Sequence, residues 1–352
     1  MNFDYPVSKV IDVHSEEDLC EMFSQSKAIR LVGRGSSQAA LKAPNRDVDV
    51  VSTANMDQIL RLEPDDLTCS VEPGVRREDL DAALAEHGLW LPCGGSGTIG
   101  GIFAGDREGP LAPMQPEPRS LLLGLSAVLT DGTRFKSGAR VVKNVAGFDL
   151  QKLFVGSRGR LFAATALHLK LRPKPPASVG FEQTQLALPA AMELLLAMRR
   201  TQTPPQVLSL TRTGSSYTLT GTIDGDPGYL ETWIKKFALT VCEPASSTTT
   251  DPHVPSAGLE TVQGSVMLKA IPSLVDLLPE QVAFGLRGTR FWTHLPTPAA
   301  NALLEALPSI GGSGEIVAGK PARRGLTSAV NPMVTRLETE IANTLDPDGV
   351  LQ

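Results

Sequence analysis

The chain has 352 residues, of which 41% are hydrophobic and 20% are charged, and its formal net charge is −5. This acidic balance excludes nucleic acid as the expected partner, because proteins that bind a phosphate backbone normally carry a basic excess. The sequence has no run of about 18 apolar residues to span a bilayer, and its first residues lack the basic and apolar regions of a signal peptide. We therefore expect a cytoplasmic protein.

The first segments predict a helix, a strand and a polar turn. Ser15 and the acid at Asp18 form a capping box, which predicts a helix through Gln25. Residues 28–32 are typical of a short buried strand, and they lead into Gly-Arg-Gly-Ser-Ser-Gln at 33–38. Such a turn can offer backbone N–H groups to a phosphate, but a plain tight turn explains the same residues.

Strands and helices then alternate. The sequence predicts strands over 48–52 and 68–72, a short helix over 55–60 between them, and an amphipathic helix over 76–87 that ends at Gly88. This alternation indicates an α/β or α+β layered fold.

Residues 92–101, Pro-Cys-Gly-Gly-Ser-Gly-Thr-Ile-Gly-Gly, contain five glycines. Each glycine inside a helix or strand costs about 0.5–1 kcal/mol relative to alanine, so this stretch predicts a loop with a specific use. Without Cβ atoms a backbone approaches a ligand closely, and successive N–H groups can form an anion site. A phosphate or pyrophosphate is the expected guest.

The glycines at 95, 97 and 100 also match the Gly-x-Gly-x-x-Gly pattern of Rossmann folds. That pattern needs a long helix after the glycines and an acid about 20 residues further on. Four prolines between 110 and 118 exclude such a helix, and Asp131 comes too late in the chain. The sequence therefore disfavours a Rossmann domain.

The four cysteines, Cys20, Cys69, Cys93 and Cys242, have no Cys-x-x-Cys spacing. Zinc and iron–sulfur sites normally show such spacings, so the sequence predicts reduced thiols and no metal site. Cys93 differs from the others because it lies inside the glycine-rich loop.

Beyond the prolines, Asp131-Gly132 predicts a hairpin between strands over 121–130 and 133–136. Residues 143–159 follow, with the sequence Lys-Asn-Val-Ala-Gly-Phe-Asp-Leu-Gln-Lys-Leu-Phe-Val-Gly-Ser-Arg-Gly. Asp149 suits the first turn of a short helix in this segment. A strand over 161–171 then reaches the proline-dense residues 172–176, which predict a domain boundary.

Residues 33–38, 92–101 and 143–159 together carry a family resemblance. They resemble the PCMH-type flavin-binding domain of the vanillyl-alcohol oxidase and D-lactate dehydrogenase superfamily. The segment that begins at Lys143 is more specific, and it resembles the FAD-binding subunits of bacterial glycolate oxidases. Residues 345–351 resemble these subunits more weakly. The resemblance implies an α+β protein: a two-lobed domain over 1–175 that holds FAD noncovalently, then a smaller ferredoxin-like cap domain over 176–352.

The resemblance also implies which residues hold FAD, with its pyrophosphate on two glycine loops. Hydrogen bonds to an ionised phosphate contribute about 1.5–3 kcal/mol each, so a few suffice for tight binding. The expected residues are Gly33, Gly35, Ser36 and Ser37 in the first loop, Pro92 near the flavin ring, Gly94, Gly95, Thr98, Ile99, Gly100 and Gly101 in the second loop, and Lys143, Asn144, Gly147 and Gly159 along the remaining wall.

Several positions depart from the family pattern. Ser120 stands where the family has an acid, and Arg107 and Glu108 stand where smaller residues are commoner. Arg160 and Phe162 follow Gly159 in place of smaller residues, and Phe162 replaces a glycine that lets the backbone approach the cofactor. Either the adenine end of the site is rebuilt, or cofactor binding has decayed.

The second half of the chain shows two rounds of strand and helix patterns, which indicate an antiparallel sheet with helices on one face. The first round has helices over 189–200 and 229–237 and strands over 207–211 and 217–223. A polar loop at 246–252 separates it from the second round. That round is predicted as strands over 265–270, 282–285, 289–294 and 315–318 with helices over 272–278 and 298–307.

The family's 2-hydroxy-acid oxidising members carry a His-x-His cluster in the cap domain. Here the histidines are isolated at 14, 87, 168, 253 and 294. His294 is the best candidate to face the flavin, because Arg287 and Arg290 nearby can pair with a carboxylate. The catalytic residues therefore stay unassigned.

The resemblance implies an FAD-binding subunit that assists or relays electrons in the oxidation of a 2-hydroxy acid, glycolate to glyoxylate. Its partners would be a catalytic flavoprotein subunit and an iron–sulfur subunit, and any membrane contact would be peripheral, through these partners. An independent FAD-dependent oxidoreductase and a degenerate, non-enzymatic scaffold are the alternatives.

Overall fold

The structure is a computed structural model that describes residues 3, 5–36, 43–44, 46–106, 118–139, 148–244, 258–279, 284–287, 289–320 and 323–352. The described residues form two compact units. The first contains those up to 106, 118–174 and 331–352, and the second contains those between 175 and 330. No helix within the described residues combines the length and apolarity needed to cross a membrane.

The first unit begins with a small parallel sheet. Its elements are β1 (Val7–Asp12), α1 (Glu16–Gln25), β2 (Ile29–Val32) and β3 (Val48–Ser52), and the strand order is β1-β3-β2. The Ser15 side chain accepts a hydrogen bond from the Asp18 N–H at 3.1 Å, so the predicted cap of α1 is confirmed. Leu19 and Phe23, four residues apart, bury one face of α1.

A second sheet follows in the same unit, with the strand order β4-β5-β9-β7-β8 and a separate β6–β10 pair. Helices α2 and α3 contribute Leu80, Leu84, Ile102 and Phe103 to its core. The elements are β4 (Ile59–Glu63), β5 (Thr68–Val71), α2 (Arg77–Ala85), β6 (Leu89–Trp90), α3 (Ile99–Ala104), α4 (Pro118–Leu121), β7 (Leu122–Val128), β8 (Arg134–Gly138), a 3-10 helix (Leu150–Leu153), β9 (Ala163–Lys170) and β10 (Arg172–Pro173).

The short helix predicted over 55–60 is wrong. Ile59 begins β4, which pairs with β5 in antiparallel fashion from Ile59–Val71 to Glu63–Thr68. The local sequence does not show this pairing, and tertiary hydrogen bonding overrides weak helix propensity over so few residues.

The second unit is an antiparallel sheet with the order β14-β11-β13-β12-β16-β17-β15-β18. Each half is a βαββαβ repeat in ferredoxin-like order, and the halves join through β12 and β16. The elements are β11 (Ala177–Leu186), α5 (Leu188–Arg199), β12 (Val207–Thr213), β13 (Ser216–Gly225), α6 (Pro227–Lys236), β14 (Thr240–Cys242), β15 (Glu260–Ser265), a 3-10 helix (Leu268–Ala270), α7 (Ile271–Asp276), β16 (Phe284–Arg287), β17 (Arg290–Leu295), α8 (Thr297–Ala306), a 3-10 helix (Leu307–Ile310) and β18 (Ser313–Ala318).

The repeat is visible in the packing of both halves. Phe181 is paired with Gly221 across β11 and β13, and Phe291 is paired with Gly264 across β17 and β15. Both phenylalanines are buried and lie over their glycine partners. The strand predicted over 265–270 is therefore misplaced, because the residues that pair and pack are those of β15, which ends at Ser265.

The last residues return to the first unit. After α9 (Pro332–Leu345), the Asp346 carboxylate accepts hydrogen bonds from the Val350 and Leu351 N–H groups at 2.9 and 2.8 Å. Leu351 bridges to Ile29 beside β2, and the Ile29 N–H donates to the Val350 carbonyl at 2.7 Å. The sequence analysis placed these residues in a second domain over 176–352, whereas backbone hydrogen bonds attach them to the parallel sheet of the first unit.

Phe162 lies in the core of the first unit, between two other rings. Its ring centroid is 5.2 Å from that of Phe135, at an interplanar angle of 88°, and 5.9 Å from that of Phe154, at 24°. We expect Phe162→Ala to lower the free energy of unfolding by about 3–5 kcal/mol, since it leaves a cavity among these rings. Urea unfolding followed by circular dichroism measures this change.

Phe148→Ala is the matched control, because the Phe148 side chain is 91% exposed. It should change the free energy of unfolding by no more than about 0.5 kcal/mol. Equal losses in the two variants would contradict the packing described for Phe162.

Candidate functional site

The two glycine loops predicted to bind phosphate meet in the structure. A Cβ atom built on Gly33 would lie 2.2 Å from the Thr98 Oγ1, so the first loop reaches the second only because residue 33 has no side chain. A Cβ on Gly97 would lie 2.8 Å from the Ser36 Oγ, and Gly97 has a φ of +99°. The loops are therefore in contact at two points, and glycine is required at both.

The second loop runs directly into α3. Thr98 is the N-cap of this helix, and its side chain accepts a hydrogen bond from the Gly101 N–H at 3.3 Å. The Ile99 N–H donates to the Val75 carbonyl and the Gly100 N–H donates to the Pro73 carbonyl, both at 2.8 Å. These bonds fix the end of the loop against residues 73–77.

The loop backbone keeps donors available for a ligand. The N–H groups of residues 94–98 and 34–36 donate to no carbonyl among the described residues. Gly35, Gly95 and Gly97 all have positive φ angles, as in turns whose N–H groups converge. This is the geometry that an anionic group such as a pyrophosphate needs.

Arg77 is a residue of this site that the sequence reasoning missed. It is the first residue of α2 and its side chain is only 6% exposed. Its guanidinium donates to the Cys93 carbonyl at 2.5 Å and the Leu91 carbonyl at 3.1 Å, and its Nε donates to Asp81 at 2.8 Å. The four-residue spacing of Arg77 and Asp81 was a visible signal of an ion pair, but the carbonyl contacts depend on tertiary structure.

Cys93 is part of the second loop, and its side chain is buried in the core as a neutral thiol. Burial raises the pKa of the Cys93 thiol to about 11, in spite of the nearby Arg77 guanidinium, which lowers it. The Arg77 Nη1 lies 3.7 Å from the Cys93 Sγ. A thiol with this pKa is protonated at neutral pH and is a poor nucleophile, so Cys93 belongs to the core under the loop.

Gly159 lies beside Leu31 of β2. Its φ is +73°, and a Cβ there would lie 3.4 Å from the Leu31 Cβ. Burial lowers the pKa of the Arg30 guanidinium, and the positive charges of Arg160 and Arg158 lower it further.

The remaining predicted residues are divided between the described and undescribed parts of the chain. Pro92, Gly94, Ile99 and Gly100 are buried, and Gly101 is partly buried at the start of α3. Phe148, the first described residue after 147, is exposed. The residues that lie outside the described part are Ser37, Arg107, Glu108, Lys143, Asn144 and Gly147.

Among the described departures from the family pattern, Phe162 is a core residue. It is only 2% exposed, and its ring packs against those of Phe135 and Phe154. Arg160 and Ser120 are exposed. Phe162 therefore serves as a core side chain, and the sequence alone could not show the direction of its ring.

The described histidines lie apart from one another. The His168 Nδ1 is 2.8 Å from the Ser70 Oγ, and the His294 Nδ1 is 2.9 Å from the Thr261 Oγ1. Burial lowers the pKa of His294, so its imidazole is neutral at pH 7. Within the described residues, no three His, Cys, Asp or Glu side chains are arranged to hold a metal ion.

Comparisons with known proteins give the family that the chain resembles. Residues 7–138 match the profile of a family described as an FAD binding domain. Glycolate oxidase subunit GlcD of Bacillus subtilis (strain 168) is 35% identical over 147 residues, which are 41% of this chain and 31% of that protein. Glycolate oxidase subunit GlcE of Escherichia coli (strain K12) is 34% identical over 139 residues, which are 38% of this chain and 39% of that protein. The matched region thus spans less than half the length of either relative.

The fold as a whole is similar to a solved alkyldihydroxyacetonephosphate synthase. The TM-score is 0.72 at 13% identity, with 97% of this chain and 75% of that chain covered. The fold is therefore that of the PCMH-type FAD-binding proteins, and the expected α+β class with its ferredoxin-like repeats is confirmed. The match of residues 7–138 to an FAD binding domain, together with these relatives, gives FAD as the cofactor.

The described residues fit this cofactor. The two loops meet where Cβ atoms at 33 and 97 would collide, and the N–H groups of residues 34–36 and 94–98 make no bond to a carbonyl among the described residues. Each of these features favours a diphosphate lying along the glycine backbone.

Gly33→Ala tests the contact between the loops. The added Cβ must displace Thr98, so we expect FAD affinity to fall at least about tenfold, since a small misplacement of binding groups is costly. Quenching of flavin fluorescence during titration measures the dissociation constant.

Gly228→Ala is the control, because its Cβ would meet only the Asp226 Oδ1, at an ordinary 3.4 Å, in the second unit. It should bind FAD as the unchanged protein does. Wild-type affinity in Gly33→Ala would show that the spacing between the loops is unimportant for the cofactor.

Proposed function

We propose that this chain is the FAD-binding subunit of a glycolate oxidase-type complex that oxidises a 2-hydroxy acid. The observation that carries the proposal is the meeting of two glycine loops with available N–H groups, in a chain similar to proteins named glycolate oxidase subunits. Glycolate is the proposed substrate of the complex, and the location is cytoplasmic.

In this proposal the first loop, with Gly33, Gly35 and Ser36, and the second loop hold the diphosphate through backbone N–H groups. Pro92 lies near the flavin ring, and Lys143, Asn144, Gly147 and Gly159 line the remaining wall. The first unit is the FAD-binding domain, to which residues 331–352 belong, and the second unit is the cap domain. FAD supplies the acceptor for the two electrons that leave the alcohol carbon.

The proposal gives this chain a supporting role in catalysis. His168 belongs to the first unit and His294 to the second, and each bonds a hydroxyl side chain. We therefore assign removal of the substrate proton to a catalytic flavoprotein subunit, and onward electron transfer to an iron–sulfur subunit.

The exposed face of α9 supports the presence of such a partner. Met333, Val334 and Leu337 lie on one stripe of this helix and are 71%, 45% and 57% exposed. Isolated helices shorter than about 12–15 residues are marginal in water, and most gain stability by packing an apolar face. The stripe is therefore proposed to be covered by another subunit of the complex.

A spectrum and a set of assays test the function. Purified chain should bind FAD and show the flavin absorption at about 450 nm, and its Tm should rise with added FAD because the ligand binds only the native state. Alone it should oxidise glycolate and other 2-hydroxy acids far more slowly than it does when its partner subunits are added.

Three outcomes would overturn the proposal. A colourless protein with no thermal shift would indicate a scaffold that has lost its cofactor. Full activity of the isolated chain on a 2-hydroxy acid would indicate an independent oxidoreductase, and so would reduction of its flavin by an unrelated alcohol.

Leu337→Glu tests the α9 stripe. We expect it to abolish copurification with the partner subunits, because a charge would be buried in an apolar interface. The free energy of unfolding of the isolated chain should change by no more than about 0.5 kcal/mol.

Thr335→Glu places the same charge on the opposite side of α9, which is also exposed. It should leave copurification intact. Loss of the complex in both variants, or in neither, would remove α9 from the interface.

A further inference from the structure

One residue holds the second glycine loop at both of its ends. The Arg77 side chain donates to the carbonyls of Leu91 and Cys93, which precede the glycines. The Arg77 backbone N–H donates to the carbonyl of Gly97, on the other side of Gly94 and Gly95, at 2.8 Å. The segment 94–96 is thus closed by bonds to a single residue of α2.

The guanidinium is suited to this role by its shape. Its two terminal nitrogens reach carbonyls two residues apart, while its Nε is held by Asp81 one helical turn along α2. Arg77 is nearly fully buried, so water cannot replace these bonds. A lysine carries the same charge but has one nitrogen and cannot reproduce the planar fork.

We propose that Arg77 is a positioning residue for the cofactor, which sets the separation of Cys93 and Gly97 and thereby aims the N–H groups of residues 94–98 at the ligand. This inference rests on the proposed assignment of the loop to FAD. The Arg77 contacts described above are all with protein groups. Its effect on FAD therefore acts through the loop backbone.

A purely structural role for Arg77 predicts a different result. Loss of a general stabilising contact lowers the Tm but leaves FAD affinity unchanged in whatever fraction is folded. A positioning role predicts weaker binding at a temperature where circular dichroism shows the variant fully folded. The two roles are therefore separated by measuring affinity and folding on the same samples.

The experiment compares Arg77→Met, Arg77→Lys and Asp81→Asn with the full-length wild-type chain. We expect the FAD dissociation constant to rise at least tenfold in Arg77→Met, with partial recovery in Arg77→Lys, and to rise several-fold in Asp81→Asn. Arg76→Met is the matched control, since the Arg76 side chain is about half exposed and, within the described part of the chain, forms its ion pairs with the surface acids Glu78 and Asp79. Its dissociation constant should stay within twofold of wild type.

Asp81→Asn keeps the test valid if Arg77→Met does not fold, because the Asp81 side chain is 38% exposed and its loss leaves the guanidinium in place. Amide hydrogen exchange in apo protein gives a readout that needs no FAD. The amides of Arg77, Ile99 and Gly100, which hold the loop, should exchange at least tenfold faster in Arg77→Met than in Arg76→Met.

The outcomes separate this inference from the function. If wild type binds no FAD, the proposed function fails, and the exchange rates alone decide whether Arg77 orders the loop. If wild type binds FAD and folded Arg77→Met and Asp81→Asn bind it within twofold of wild type, the positioning role is overturned.

Discussion

The close approach of Gly33 to Thr98 is the constraint on which the rest of the site depends. With 2.2 Å between a virtual Cβ and a hydroxyl oxygen, there is room for backbone only. The parallel sheet of the first unit delivers Gly33 at the end of β2, and residues 73–77 hold Thr98 at the start of α3. The parallel sheet and residues 73–77 are therefore both needed to bring the N–H groups of the two loops together.

The glycine composition made the second loop predictable, whereas the contacts that hold this loop in place were not predictable. Five glycines in residues 92–101 suit turns and close approach, so the loop followed from the sequence, and its anionic guest stays a prediction. Arg77 gave no comparable signal, because a charged residue at the start of an amphipathic helix normally faces solvent. Only the folded chain shows that carbonyls of Leu91 and Cys93 surround it.

The same distinction, between local and tertiary causes, explains the errors in the predicted secondary structure. Strands with clear alternation and the Asp131-Gly132 hairpin have local causes, and β7 and β8 pair around that turn. Residues 55–60 and 265–270 are short segments, in which local sequence does not distinguish helix from strand. Their structure is decided by partners far along the chain, as for β4 with β5 and β15 with β17.

The C-terminus shows why a contiguous division of the chain fails. β2 is hydrogen-bonded to β3 on one side, and Leu351 bridges to Ile29 on the other, while the Arg30 side chain donates to the Gln352 carbonyl at 2.6 Å. Without these last residues, β2 would be an unprotected edge strand, the kind of strand that frays or pairs with other chains. Since β2 carries Gly33, the end of the chain stabilises the start of the cofactor loop.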